Sequence, residues 1–374
     1  MPRVTLEIRT LAMPLVRPFR TSKGVDDTRH VMVLRWSEDG VDGWSESAAD
    51  PEPTYFPEYM ASVRTALLEV IVPAMESSPP PPSGTTVGWL RSVLKDVPGS
   101  PIAKAFVESA LLDAQLRRHG MPLVDFLGAA AGRIPVGVSV GIPDSIDELI
   151  DWVGGYLKDG YSRIKLKIQP GWDLEPVRAV RATFGDDLPL QVDANQAYEP
   201  SDIPHLRRLD EFNLLLLEQP FDRDHLLAHQ ALAAASTTPI CLDESISGVH
   251  DTMVAIRLGA VNVVNIKPSR VGGYLNSRAI HDVCQANGIP VFCGGTLETA
   301  VGRAANLALA SLPGFTLPGD ISATSRYYTK DIARPFELED GCLAVPTGPG
   351  TGVDVDLGTV EELTIDKRTV SLGL

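Results

Sequence analysis

The chain has 374 residues, a formal net charge of −15 at pH 7 and 44% hydrophobic residues. That length holds a full barrel plus a second domain, and the apolar share supports a large core. The acidic balance speaks against a nucleic-acid backbone as partner, and no apolar run reaches membrane-spanning length. The four cysteines, Cys241, Cys284, Cys293 and Cys342, have neither close metal-ligand spacing nor a short secreted context, so they read as reduced thiols of a cytoplasmic protein.

The N-terminal residues Met1 to Ile8 alternate like a strand and lack a signal-peptide core. Val31 to Trp36 is a β-rich run, and the Asp39-Gly40 turn after it fits a hairpin. Two loops are expected here, Phe19 to Gly24 and Ala48 to Tyr59. A helix is predicted over Pro57 to Val72, then an extended, proline-rich surface connector from Ser77 to Gly84. Ala103 to Arg118 is a strong helix with Phe106, Ala110, Leu111 and Ala114 on one face.

From Val136 strands and helices alternate. Val136 to Val140 is a short strand. Ser145 and Glu148 form a capping box for a helix that stops at Gly160. Strands follow at Arg163–Ile168, Leu190–Asp193, Leu214–Glu218, Ile240–Asp243, Val263–Lys267 and Pro290–Cys293, with Phe315–Leu317 as the last. Helices are predicted near 174–184, 201–209, 225–235, 249–258, 274–286 and Glu298–Ser311. The segment from about 324 to 374 returns to strand patterning and packs back on the N-terminal unit.

Charged residues punctuate the strand ends. Asp193, Glu218 and Asp243 are 25 and 25 residues apart, and Lys267 follows 24 later, about one βα unit each time. Strands of a parallel barrel are covered on both faces, so charges there are costly unless paired or bound to a metal. Their C-terminal ends open onto one face, where barrel enzymes keep their active sites. Three hard carboxylates suit Mg²⁺, and Asn195 adds an outer hydrogen bond. Lys165 and Lys167 share one side of their strand and enter the barrel; Lys267 approaches from a strand roughly opposite. Mutual repulsion among these lysines and the metal, with Arg270 adding to it, would lower their pKa values and make a base. Taken singly, each acid reads equally well as a helix cap; three in register with lysines do not. Together the groups suit removal of a proton α to a carboxylate, with the metal stabilising the enediolate, an arrangement known for the enolase superfamily.

Lys165-x-Lys167, Asp193-Ala194-Asn195, Glu218-Gln219-Pro220, Asp243-Glu244-Ser245 and Lys267-Pro268 resemble the muconate-lactonizing-enzyme group of that superfamily. The stretches Arg163 to Asp173, Asn265 to Tyr274 and Leu317 to Ile321 narrow the resemblance to the N-succinylamino acid racemase/o-succinylbenzoate synthase family. The resemblance implies an α/β fold: a modified (β/α)₇β TIM-type barrel with an α+β capping domain from both chain ends. The implied division is 1–130 for the cap, 131–322 for the barrel and 323–374 completing the cap. It implies one Mg²⁺, with Mn²⁺ able to substitute, on Asp193, Glu218 and Asp243. Lys167 and Lys267 become the acid/base pair on opposite faces of a small-molecule carboxylate, and Lys165 an electrostatic helper. In racemisation one lysine removes the α-proton and the other returns a proton to the far face. In o-succinylbenzoate formation Lys167 acts and Lys267 is a cation beside the intermediate. A homo-oligomer is implied too. The competing readings are a dipeptide epimerase, a muconate cycloisomerase-like enzyme and a non-catalytic ligand-binding barrel.

No histidine lies at a barrel strand end, which argues against a lysine/histidine base pair. Gly294 and Gly295 would let backbone N–H groups approach a substrate acyl group, or simply make a tight turn. Gly272-Gly273 starts a helix and could receive a distal carboxylate. Glu298 belongs at the mouth, unless it caps its helix. In the cap loops, Lys23 and Asp50 pair with each other, face water, or select a polar substrate side chain.

Overall fold

The computed structural model describes residues 3–82, 84–130 and 132–373. The chain begins with three antiparallel strands, Arg3–Thr21, Gly24–Glu38 and Val41–Ser47, and its final strand, Thr364–Gly373, pairs with the first. One face of this sheet buries Leu6, Ile8, Met32, Leu34 and Trp36. The helix Pro101–Arg118 lies against it. Close approach is possible because Gly43 has no side chain: a Cβ there would sit 2.2 Å from the Ala110 carbonyl oxygen. The Asp39-Gly40 hairpin forms with both residues at positive φ, 51° and 80°, which suits strands of right-handed twist.

Seven parallel strands form the second sheet, in spatial order Val291–Cys293, Val263–Ile266, Ile240–Leu242, Leu217–Glu218, Leu190–Asp193, Ile164–Lys167 and Val138–Val140. Helices alternate with them and bury their apolar faces on the sheet. Leu174–Phe184, Val249–Leu258 and Tyr274–Ala286 lie where their sequence period puts them. The Ile146–Asp159 helix is capped by Ser145, which accepts from the Glu148 N–H at 3.2 Å, and ends at Gly160 in the left-handed region. Glu148 reaches back to the Asp144 N–H at 3.0 Å, one residue beyond the expected partner.

The last barrel position differs from the expected strand at Phe315–Leu317. It is irregular, held by bridges from Phe315 to Val291 and from Gly319 to Val136. The Gly319 carbonyl accepts from the Gly137 N–H at 2.8 Å and the Asp320 N–H donates to the Cys293 carbonyl at 3.0 Å, joining the two edge strands. Pro318 has no N–H to donate, which explains the interruption.

Other expectations shift. Phe19 to Gly24 is a hairpin tip rather than a loop, since Phe19, Arg20 and Thr21 pair with Asp26, Val25 and Gly24. The helix expected over Pro57 to Val72 runs from Met60 to Glu76, with a π-helical stretch at Ala66–Ile71. Pro73 lacks the N–H for the next bond, and widening the turn before it lets the helix continue. The 201–209 helix is mostly 3₁₀. Of the connector, Ser83 lies outside the described residues.

Candidate active site

The strand ladders bring the charged residues side by side. Lys167 pairs in register with Asp193, and Asp193 with Glu218. Glu218 pairs with Cys241, so Asp243 sits two residues farther along, just past its strand, and Lys267 follows Val263–Ile266. The stagger is what tilted barrel strands produce. Lys165, Lys167, Lys267, Asp193, Glu218 and Asp243 are all buried.

The turns after these strands are tight. Asn195, Gln196 and Gln219 take positive φ of 43°, 66° and 37°, a conformation that costs about 1 kcal/mol for a non-glycine residue. Hydrogen bonds offset it. Gln219 accepts from the N–H groups of Asp243 and Ser245 at 2.9 and 3.2 Å, and donates to the Ser245 hydroxyl at 2.8 Å. The loop after one acid strand thereby fixes the next.

Each lysine has its own surroundings. Lys167 Nζ donates to Asp193 Oδ2 at 2.6 Å and Asn195 Oδ1 at 2.7 Å. Burial pulls its pKa below the ordinary lysine value against the pull of Asp193, with Lys165 helping. Lys165 donates to Glu218 Oε2 at 3.0 Å and to Asp320 Oδ2, and lies 3.3 Å from Asp193. Burial would lower it too, but Asp320, Glu218 and Asp193 outweigh that and raise it well above its usual value. At Lys165 the attraction of these carboxylates thus outweighs the repulsion from Arg163. Lys267 Nζ meets Asp243 Oδ2 at 2.8 Å and the Tyr55 hydroxyl at 2.5 Å.

Asp193, Glu218 and Asp243 project from three neighbouring strand ends into the barrel, with Asn265 Nδ2 on Glu218 Oε1 at 2.6 Å and the Tyr55 hydroxyl on Asp243 Oδ2 at 2.7 Å. Asn265 Oδ1 and Glu244 Oε2 are buried without a hydrogen-bond partner. This all-oxygen set fits a hard divalent cation in chemistry. Their oxygens are nevertheless held by lysine and arginine. Among the described residues no three His, Cys, Asp or Glu side chains are grouped so as to hold an ion, and binding one requires those ammonium groups to move aside.

The site opens into a cavity of about 310 Å³ between barrel and cap. Lys165, Lys167, Lys267, Asn195 and Gly295 line it from below, Lys23 and Asp50 from above. The hairpin tip is tied down by Ser22, whose hydroxyl donates to the Ala194 carbonyl at 3.0 Å.

The other expected substrate contacts fall elsewhere. Arg270 is not in the cavity wall; it is spent on Asp243 and on the carbonyls of Ile246 and Asn265, at 2.7 and 2.8 Å for the last two. Gly294 does not offer its N–H to an acyl group, because that N–H bonds to the Ile266 carbonyl at 3.2 Å, and a Cβ there would meet the Asn265 amide at 2.2 Å. Gly295 borders the cavity and lets Asp320 approach: a Cβ would lie 2.4 Å from the Asp320 carbonyl oxygen. Glu298 neither borders this cavity nor caps the following helix, whose N-cap is Thr299; it accepts from the Thr296 N–H at 2.7 Å and Asn306 Nδ2 at 3.1 Å. Gly272-Gly273 does not receive a substrate carboxylate either. Glu108 from the cap stands there, bonded to the Leu275 N–H at 3.3 Å, and burial pushes its carboxyl up to about 7. Lys23 and Asp50 do not pair with each other: Asp50 is bound by Arg29, and Lys23 is exposed.

Sequence reasoning missed Tyr55, Asp320, Arg163 and Arg29. Asp320 bridges Lys165 and Arg163, the latter at 2.7 Å, and these cations hold its carboxyl well below the usual range despite burial. The signal for Asp320 was an acid closing the eighth barrel position, and for Arg163 the alternation with Lys165 and Lys167. Tyr55 and Arg29 carried no signal, because they reach the site through the cap.

Two family models match the chain: the mandelate racemase/muconate lactonizing enzyme N-terminal domain over residues 3–128, and the enolase C-terminal domain-like model over 148–359. An N-succinylamino acid racemase of Amycolatopsis sp is 51% identical over 97% of both chains. An o-succinylbenzoate synthase of Geobacillus kaustophilus is 42% identical over 96% of this chain and 94% of its own. Among solved structures, an enolase-superfamily member from Listeria innocua matches with a TM-score of 0.92 at 35% identity, covering 98% of each chain. Muconate lactonizing enzyme from Pseudomonas fluorescens matches with a TM-score of 0.88 at 26% identity, over 96% of this chain and 98% of that one. Membership of this superfamily implies a divalent metal, and no helix among the described residues is long and apolar enough to cross a membrane. The chain is an enzyme and belongs to the N-succinylamino acid racemase/o-succinylbenzoate synthase family of the enolase superfamily.

Proposed function

We propose that the enzyme racemises N-acylamino acids, N-succinylamino acids first among them, by proton transfer at the α-carbon. The observation that carries this reading is the pairing of Lys167 and Lys267. They come from strands near opposite edges of the seven-stranded sheet, and both line the cavity. Lys167 is held by Asp193 and Asn195, and burial makes its neutral amine form easier to reach than in a free lysine. Lys267 is held by Asp243 and Tyr55, so its ammonium has a fixed approach. One takes the α-proton; the other delivers a proton to the opposite face. Exchange of roles runs the reverse direction.

Asp193, Glu218 and Asp243 would hold Mg²⁺, which when bound supplies a Lewis acid for the charge that develops on the substrate carboxylate. Lys165, kept protonated by Asp320, Glu218 and Asp193, supplies a fixed positive charge beside that carboxylate. The cap excludes water from above, with the hairpin tip anchored through Ser22. A homo-oligomeric cytoplasmic enzyme, with cap and barrel divided near residues 130 and 322, completes the reading.

The o-succinylbenzoate synthase reaction is a second reading, favoured by the name of the Geobacillus kaustophilus relative. It needs the same proton abstraction, with Lys167 as base and Lys267 as a cation. Polarimetry with N-succinyl-L- and N-succinyl-D-amino acids, beside an absorbance assay on the cyclohexadiene precursor of o-succinylbenzoate, tests both. Loss of optical rotation from both enantiomers supports the racemase. Dehydration without racemisation assigns the synthase alone, and neither reaction sinks both readings.

A further inference from the structure

The cavity roof carries charge that the proton-transfer machinery does not use. Arg29 is buried, with a side chain 7% exposed. It donates to Asp50 Oδ1 and to the Ala48 carbonyl at 3.1 Å, and its Nε has no partner. Asp50 is 20% exposed, borders the same cavity as the three lysines, and has one oxygen taken by Arg29. Its other oxygen has no hydrogen bond among the described residues. Asp26 faces the cavity from the hairpin and Glu52 from the loop beyond Asp50. Burial raises Asp26, and although Arg29 opposes this, Asp50 adds to it. Lys23 is the remaining cation of this roof, and it is exposed.

The geometry points to Asp50, oriented by Arg29, as a specificity-determining residue that selects amino-acid side chains bearing a cation or an N–H donor. An ionised carboxylate accepts and cannot donate, so an aliphatic or aromatic group against it leaves the free oxygen desolvated and unpaired. A lysyl, arginyl or glutaminyl side chain satisfies it. An anionic acyl end is repelled by the same wall, which assigns this wall to the amino-acid side chain rather than to a succinyl group. Phe19, Leu297 and Tyr327 offer an apolar wall in the same cavity for the methylene parts of the substrate. This inference rests on the N-acylamino acid reading above.

The test compares α-proton exchange, as kcat/KM, for N-succinyl-L-lysine, N-succinyl-L-glutamine and N-succinyl-L-methionine, which are similar in side-chain length. The wild-type enzyme is expected to favour lysine over methionine by about tenfold or more, with glutamine between them. In Asp50→Asn, a nearly isosteric change, the lysine-to-methionine ratio should fall by about tenfold. Raising the salt concentration should lower the ratio in the wild type and not in the variant, and this holds as a second measurement if Asp50→Asn folds poorly. Exchange of all three substrates without preference, or a ratio unchanged in both measurements, overturns the specificity role and leaves the racemase reading standing. No exchange with any N-succinylamino acid overturns that reading, and the inference with it.

Discussion

Floor and roof of the cavity solve opposite problems with the same residue types. On the floor, Arg163, Lys165, Lys167, Lys267 and Arg270 lie buried among Asp193, Glu218, Asp243, Glu244 and Asp320, and cations and acids bind each other. On the roof, Lys23, Asp26 and Glu52 are exposed, and Arg29 with Asp50 is the one ion pair found there among the described residues. Burial makes each floor charge depend on its neighbours, so its removal should slow the chemistry itself. Roof charges are partly screened by solvent and act on preference instead. Proton transfer demands fixed groups on rigid strands, whereas selection needs only one oriented acceptor on a hairpin and loop.

The largest break of this contrast should come from removing the metal. Dialysis against a chelator is expected to bring racemisation to background, and Mg²⁺ to restore it; full activity after chelation, with metal content checked by elemental analysis, would count against the carboxylate assignment. Lys267→Ala comes next. Its racemisation rate, read by polarimetry, should fall by about 10³-fold, within the range of acid–base catalysis, while cavity-roof substitutions change rates by far less. Asp320→Asn removes the anion that Lys165 and Arg163 share. Steady-state kinetics should give a kcat lower by about 10- to 100-fold, partly rescued in Asp320→Glu; equal loss in both variants would mean that Asp320 only supports the fold.

The smallest effect is on stability, away from both floor and roof. Glu108 has a carboxyl raised to about 7 from the ordinary value of 4.5, mainly by burial, with Arg91 opposing. A raised folded-state value means that the native state binds the proton more tightly than the unfolded chain. Glu108 therefore favours folding least where both states are ionised, and stability should decline as pH rises from about 4.5 to 7. Thermal melts of Glu108→Gln should show a gain over wild type at pH 8 that vanishes near pH 5, worth on the order of 1–3 kcal/mol.

Much of the floor was legible because it lies on a repeat. The βα spacing carried Asp193, Glu218, Asp243 and Lys267, and period-two alternation carried Lys165 and Lys167 into the barrel. The eighth barrel position was not legible as irregular, since Phe315-Thr316-Leu317 has strand composition and only Pro318 hints at the break. The roof was legible only as a pair of unexpected charges. Lys23 and Asp50 were visible, but Arg29 lies on the long second strand, and its reach to Asp50 depends on how that strand pairs. Tyr55 reaches Lys267 across 212 positions, a contact no local pattern encodes. Gly273 shows the same limit: it looked like an anion site, and the carboxyl that occupies it is Glu108 of the protein itself.

The central claim is that Lys167 and Lys267 serve opposite faces of one α-carbon. Proton NMR in D₂O with Mg²⁺, on each enantiomer of an N-succinylamino acid, tests it in Lys167→Ala and Lys267→Ala. The account predicts that each variant loses racemisation and that each still exchanges the α-proton of one enantiomer, a different one in the two variants. Exchange of the same enantiomer by both, or of both enantiomers at the wild-type rate by either, would contradict it.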